Sequence, residues 1–206
     1  MTKLEITDLT RAADELLEVT ENPLHRQILE NYRRHAILEV TGNWQQIFTP
    51  DMTVEHPVYY VNGGGMSLTL DGPEQVQGFY QGLERTQTTV MVLEDEVIAV
   101  ADWGFASEAI FHTYVTGAAA ASSFARGEGG FDADPERFYV SRRRLAMIWP
   151  YDERGRMKGE HVYAHDDHSD TVEVPQSDFI TFDEACERLL PTLRLLPTFE
   201  PASGER

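Results

Sequence analysis

The chain has 206 residues, and 35 acidic residues against 17 Lys and Arg give it a formal net charge of −18. Its 41% hydrophobic content is enough for a sizeable core and excludes global disorder. The acidity excludes nucleic acid and anionic membrane as partners, and the single cysteine, Cys186, excludes an internal disulfide, which favours a reducing, cytoplasmic location.

The first fifty residues have helical patterns. Apolar side chains at helical spacing over residues 8–19 predict a short helix within an N-terminal arm, residues 1–22. Asn22 followed by Pro23 is typical of a helix start, and the helix is predicted to reach residue 42. A shorter helix is predicted over residues 44–48. The start of the chain lacks a continuous apolar run, which predicts a soluble protein without a targeting signal.

The next segment, residues 52–60, alternates as a strand does. This alternation places four side chains on one face: Val54, His56, Val58 and Tyr60. After a glycine-rich turn, a second strand is predicted over residues 66–70. A third helix is predicted to begin at Asp71, because Glu74 three residues later completes the pattern of a capping box.

Strand patterns dominate after residue 88. Strands are predicted over residues 88–93, 97–101, 105–115, 138–149 and 158–165. The segment between them, residues 116–137, is rich in Gly, Ala and Ser; a lid, an oligomer contact and a disordered loop all stay open for it. Residues 167–206 are predicted to form an acidic linker and a last helix that begins at Thr181. Helices followed by strands indicate an α+β fold.

Three stretches resemble a known family. The ketosteroid isomerase segment that contains the catalytic Asp resembles residues 48–60, FTPDMTVEHPVYY. The third helix of SnoaL-like polyketide cyclases resembles residues 71–83, DGPEQVQGFYQGL, and their central strand pair resembles residues 96–117. The order of elements over residues 23–166 resembles the nuclear-transport-factor-two-like superfamily, which includes scytalone dehydratase. The resemblance implies a cone-shaped, curved antiparallel sheet wrapped around three helices, with a blind pocket and a C-terminal helical extension.

The resemblance also implies a catalytic set. It places His56 where ketosteroid isomerase has its proton-shuttling Asp and Tyr32 at the oxyanion-binding Tyr, whereas the partner Asp of that Tyr has no match. Glu108 and His112 are placed at pocket-facing positions. A histidine with a pKa of about 6.5 exchanges protons near neutrality, and an apolar pocket would raise the pKa of Glu108. Each residue keeps a structural alternative: His56 and Tyr32 in the core, and Glu108 facing solvent.

The predicted pocket wall is apolar and aromatic. Its substrate-binding residues are Val54, Val58, Tyr60, Phe79, Ile110, Tyr114, Met147 and Trp149. One predicted function is a cofactor-independent acid–base enzyme, of dehydratase, isomerase or cyclase type, that acts on a hydrophobic small molecule bearing a carbonyl or hydroxyl group. The alternative is a non-catalytic ligand-binding or dimerisation module. The resemblance implies a homodimer in either case.

Two charged runs remain. The run from His161 to Asp170 has the chemistry of metal ligands, but it leads into the acidic linker, and the superfamily rarely uses metals, so no metal site is predicted. The run Arg142 to Arg144 predicts a strand with alternating faces. At least one of these arginines is expected in solvent, and carboxylate recognition stays open for another.

Overall fold

The structure is a computed structural model that describes residues 3–63, 65–120, 133–197 and 199. It contains α-helices α1 (Arg11–Val19), α2 (Pro23–Val40), α3 (Pro73–Thr86), α4 (Gly117–Ala120) and α5 (Phe182–Leu189). Short 3-10 turns cover Ile6–Thr10, Trp44–Phe48, Gln176–Asp178 and Leu190–Thr192. None of the helices in the described part of the chain is both long enough and apolar enough to cross a membrane.

Two of the predicted helix starts are confirmed, because the predicted N-cap side chains make their hydrogen bonds. The side chain of Asn22 accepts hydrogen bonds from two backbone N–H groups in the first turn of α2, and Pro23 occupies the first helical position. The hydroxyl of Thr181 accepts from the backbone N–H of Glu184 in the same way at α5. These contacts are local, which is why the sequence alone predicts them.

The predicted start of α3 is wrong. Its N-cap is Gly72, at φ 90°, and no side chain caps the helix. This positive φ is a conformation that residues with a Cβ rarely adopt, so the glycine makes the turn from strand β2 (Met66–Asp71) into α3. Asp71 ends β2 instead, and its carboxylate lies 2.8 Å from Nε2 of His56.

Six strands form one curved, open sheet. The strands are β1 (Val58–Gly63), β2 (Met66–Asp71), β3 (Met91–Ala101), β4 (Gly104–Thr116), β5 (Phe138–Pro150) and β6 (His161–Val174). Their order is β2-β1-β6-β5-β4-β3. All neighbours are antiparallel except β1 and β6, which are parallel. The predicted α+β cone is therefore confirmed, with one parallel pair in an otherwise antiparallel sheet.

Several strand boundaries differ from the prediction. The strand predicted over residues 52–60 begins only at Val58. The two strands predicted over residues 88–93 and 97–101 are one strand, β3, which carries a β-bulge between Glu94 and Val97. The last strand continues to Val174, so the boundary predicted between residues 166 and 167 lies inside β6. A bulge adds a residue to one strand without ending its pairing. The residues of this bulge were predicted as a turn between two strands.

The two ends of the described chain pack against each other. Ile6 and Leu9 belong to the same hydrophobic cluster as Ile180 and Leu189. An ion pair joins Lys3 to Glu184 at 2.9 Å, and a second joins Glu5 to Arg188. The N-terminal turn and α5 therefore form one layer beside α2 and β3.

The predicted insert, residues 116–137, is described only in part. It begins with α4, and the backbone N–H of Gly117 donates to the carbonyl of Arg137 at 2.7 Å, which closes its base. Residues 121–132 lie outside the described residues, so the three alternatives for this segment, a lid, an oligomer contact and a disordered loop, fall outside them as well.

Candidate functional site

A cavity of about 350 Å³ lies between α2 and the inner face of the sheet. This volume is at the lower end of the range for small-molecule sites, about 300–1,000 Å³. Strand alternation builds its wall: every second residue of β5 from Ser141 to Trp149 lines it. Most lining side chains are apolar, among them Phe79, Leu93, Phe111, Leu145, Met147 and Trp149.

One carboxylic acid faces this apolar cavity without a partner. Glu160 directly precedes β6, and its backbone carbonyl accepts from the N–H of Tyr60 at 2.9 Å, which fixes its position beside β1. Its carboxyl group makes no hydrogen bond or ion pair with any side chain that the structure describes. Burial away from water, and secondarily the charge of Glu39, raise the pKa of Glu160 well above its ordinary value. Burial therefore favours the protonated, neutral form of Glu160.

A histidine on α2, His35, lies beside Glu39 and a pair of tyrosines. Nε2 of His35 lies 2.9 Å from the hydroxyl of Tyr80 and 3.4 Å from a carboxylate oxygen of Glu39. The hydroxyl of Tyr80 lies 3.1 Å from that of Tyr59. The His35 ring also packs edge-on against Trp149, at 4.8 Å between centroids. The result is a hydrogen-bonded chain from His35 through Tyr80 to Tyr59, whose two ends line the cavity.

A second buried pair joins the helix to the sheet. The hydroxyl of Tyr32 donates to a carboxylate oxygen of Glu96 at 2.6 Å. Burial raises the pKa of Glu96 to about 7, although the hydrogen bond from Tyr32 opposes the shift. Tyr32 lines the cavity, but its hydroxyl proton is directed to Glu96 rather than into the open space.

The structure places His56 away from the cavity. Its side chain is 68% exposed, and its partner Asp71 is 63% exposed. The expectation of an inward-facing His56 depended on a strand through residue 56, whereas Glu55 and His56 form a bend before β1 begins. Alternation therefore does not apply at this position.

The other two predicted catalytic residues lie on the outward-facing alternation of β4. Glu108 accepts a hydrogen bond from Arg144 at 2.7 Å on the surface. His112 is buried, with Nε2 2.8 Å from a carboxylate oxygen of Glu94. The cavity is lined instead by their neighbours Phe111 and Thr113. A shift of one residue in a strand exchanges its two faces, and the predicted orientation had this error.

Some of the predicted binding residues line the cavity, and others do not. Phe79, Met147 and Trp149 line the cavity together with Tyr32, and Val54, Val58, Tyr60, Ile110 and Tyr114 do not. Sequence reasoning missed His35 and Glu39, which both line it, and committed to no role for Arg143 or Glu160, which line it as well. A signal for two of them was present: His35 and Glu39 lie three and seven residues after Tyr32, on one face of a helix. Nothing comparable marked Glu160.

Comparisons with known proteins give likeness of fold only. No family model matches the chain, and none of the curated proteins compared matches it. Bal32a, from a soil-derived mobile gene cassette, is 13% identical, with 69% of this chain and 92% of that chain covered and a TM-score of 0.44. The CaMKII hub of S. rosetta is 12% identical (71% and 99% covered, TM-score 0.46). A phenazine biosynthesis-related protein of Pseudomonas aeruginosa is 10% identical (89% and 96% covered, TM-score 0.45).

Proposed function

We propose that the chain is an acid–base enzyme that works without a cofactor on a hydrophobic small molecule held in the cavity. The observation that supports this is the carboxyl group of Glu160, which faces apolar space with a raised pKa and no partner among the described residues. Burial favours the protonated form of such an acid, which can donate its proton to a substrate. Burying an unpaired carboxyl group costs free energy, and a role in proton transfer is a reason for the protein to keep it.

The reaction needs one group that donates a proton and one that accepts a proton, and Glu160 and Glu39 take these two roles. We assign Glu160, whose pKa is raised by burial, as the acid, and Glu39, which lines the same cavity, as the base. In a dehydration, Glu160 protonates the departing hydroxyl as the C–O bond breaks, and Glu39 accepts the proton from the carbon beside the carbonyl. Water leaves, a double bond forms, and a proton returns from Glu39 to Glu160. His35, 3.4 Å from Glu39, positions the base.

The substrate class follows from these groups. It is a hydrophobic molecule with a carbonyl or hydroxyl group, and the reaction is a dehydration, a double-bond isomerisation or a cyclisation. All three need one acid and one base in a site from which water is excluded. Tyr32 is a hydrogen-bond donor for a developing oxyanion once Glu96 is protonated and no longer accepts its proton as a carboxylate.

Turnover of a panel of β-hydroxyketones and β,γ-unsaturated ketones tests the proposal. Glu160→Gln keeps the shape of the side chain and removes its proton chemistry, so kcat is expected to fall by about 10²–10⁴-fold. Glu108→Gln, on the outer surface, is the matched control and is expected to retain wild-type kcat. Equal kcat in wild type and Glu160→Gln would remove Glu160 from the mechanism.

A non-catalytic binding module is the second candidate. The observation that favours it is that several polar groups of the cavity satisfy one another: Tyr32 bonds Glu96, and His35, Tyr80 and Tyr59 form a chain. In a binding module, these bonds hold the cavity rigid for a ligand. Wild-type protein that binds members of the panel but turns none of them over would favour this candidate over the enzyme.

A homodimer through the outer face of the sheet is the proposed assembly. Tyr60, Ile148 and Tyr163 lie on adjacent strands of this face and are 38%, 39% and 44% exposed. A second copy of the chain would cover this apolar area. Sedimentation analysis checks the assembly: wild type is expected to be dimeric and Ile148→Lys monomeric, and a monomeric wild type would contradict it.

A further inference from the structure

Three consecutive arginines on β5 have different surroundings. Arg142 pairs with Asp170 at 3.5 Å, and Arg144 pairs with Glu108 at 2.7 Å. Arg143 points to the opposite side and lines the cavity. It forms no ion pair with any side chain that the structure describes, and its buried Nε has no hydrogen-bond partner there. Arg143 is thus the arginine of the three whose charge is directed into the cavity.

A guanidinium group in this position needs acceptors. It does not lose its proton in proteins, and its donors form a planar fork that matches a carboxylate. Leaving a charged donor in a half-buried site without an acceptor costs free energy, which an anionic ligand would recover. The geometry around Arg143 therefore suits an anion inside the cavity.

The neighbours of Arg143 indicate where this anion lies. Ser141 and Thr171 line the same part of the cavity, and the hydroxyl of Thr171 donates to that of Ser141 at 3.3 Å. Thr171 is exposed to solvent, which places the Arg143 end at the cavity mouth. An anion held here keeps part of its hydration while the rest of the molecule enters the apolar interior.

The charge of the cavity selects a monoanion. Arg143 is the single Lys or Arg that lines it, among the described residues, and Glu39 and Glu160 line it as well. A dianion such as a phosphate monoester would meet one positive group and nearby acidic groups in a chain of net charge −18. A carboxylate is fully matched by one bidentate arginine.

The reactive end lies far from Arg143. Trp149 is six residues further along β5, about 20 Å at the rise of a strand. Glu160 lies next to His161, which pairs with Ile148 beside Trp149. The anion site and the acid–base site therefore occupy opposite ends of one elongated cavity.

We propose that Arg143 binds the carboxylate of an elongated apolar monocarboxylic acid, whose far end reaches Glu160. The assignment of the far end as the reacting end rests on the proposed acid–base function. The carboxylate site itself is a binding site and does not depend on turnover. The substrate class then becomes an apolar carboxylic acid that also bears a carbonyl or hydroxyl group.

Calorimetric titration with three probes of equal chain length tests this site: decanoate, 1-decanol and decyl phosphate, all at one ionic strength. Wild type is expected to bind decanoate at least tenfold more tightly than either of the others. Arg143→Gln is expected to lose that preference by tenfold or more while it binds 1-decanol as wild type does. Arg144→Gln, on the outer surface, is the matched control and should behave as wild type.

Three results would overturn the proposal: an unchanged decanoate preference in Arg143→Gln, tighter binding of decyl phosphate than of decanoate, or no binding of decanoate by wild type. Retained 1-decanol binding shows that the variant is folded. Failure of the acid–base function would be seen separately, as unchanged turnover in Glu160→Gln. Loss of the carboxylate site and loss of the catalytic role are therefore distinguishable.

Discussion

The outer surface and the cavity of this protein hold similar chemical groups in opposite situations. On the surface, His56 and Asp71 lie 2.8 Å apart, and both are largely exposed. In the cavity, the carboxyl group of Glu160 has no partner among the described residues and faces mostly apolar side chains. A short distance between charged groups is worth little in water, whereas burial alone changes the protonation of a carboxyl group. Burial, rather than pairing, therefore marks the candidate site.

The largest expected difference between the two faces of the sheet is in packing. Phe105 is fully buried, stacks on Trp149 at 5.6 Å and contacts Tyr32, whereas Val97 on the outer face is 70% exposed. Phe105→Ala is expected to lower the free energy of unfolding by about 3–5 kcal/mol. Val97→Ala should change it by less than about 0.5 kcal/mol. Chemical denaturation measures both, and similar losses would contradict the division into two faces.

A second difference concerns pH. The pKa of Glu96 is raised by burial to about 7, so between about pH 4.5 and 7 the folded protein holds a proton that the unfolded chain has released. Through this group, the stability of the wild type therefore falls as pH rises through this window, by about 3 kcal/mol for a shift of this size. Glu96→Gln removes the part of the fall that is due to Glu96, whereas the part due to the raised pKa of Glu160 remains, and denaturation at several pH values reports the difference.

Glu108→Gln is the control for this pH series, because it removes a carboxylate from the outer face. A change in the pH dependence as large as that of Glu96→Gln would show that burial is not its cause. Wild type and Glu96→Gln should differ most above pH 7, where the wild-type carboxyl group is ionised in the folded state. Equal pH dependence in these two proteins would contradict the assignment to Glu96.

The smallest expected difference compares two histidines that have carboxylate partners at the same distance. His112 is buried and bonds Glu94 at 2.8 Å, and the exposed His56 bonds Asp71 at 2.8 Å. His112→Ala is expected to cost about 1–3 kcal/mol, because it leaves a cavity and an unpaired carboxylate. His56→Ala should cost less than about 1 kcal/mol. Melting temperatures of the two variants measure both losses of stability. A larger loss in His56→Ala than in His112→Ala would contradict the prediction.

Local features of the fold were predictable, and the faces of the strands were not. Asn22 and Thr181 cap their helices through contacts two or three residues away, so the sequence carries the whole signal. The orientation of Glu108 depends on the register of β4 against two other strands, which no local pattern specifies. The position of His56 depends on where β1 begins, and that start is set by the return of the chain near Lys158, whose carbonyl accepts from Val58.

The candidate site shows the same limit. His35 and Glu39 share a helical face with Tyr32, and periodicity could have identified them. Glu160 has neither periodicity nor a motif. Glu160 is a candidate because it lines the cavity between α2 and the sheet. The residues that form this cavity are far apart in the sequence, so the sequence does not show it.

The layer formed by the N-terminal turn and α5 has a consequence for the order of folding. Lys3 and Glu184 are 181 residues apart in the chain, and Ile6 and Leu9 share a cluster with Leu189. During synthesis, the first turn can pack against α2 and β3 early, but the contacts with Ile180 and Leu189 wait until those residues have been made. Closing so long a loop is slow, because its entropy is lost before the contacts form. Completion of this layer is therefore a late step in the maturation of the protein.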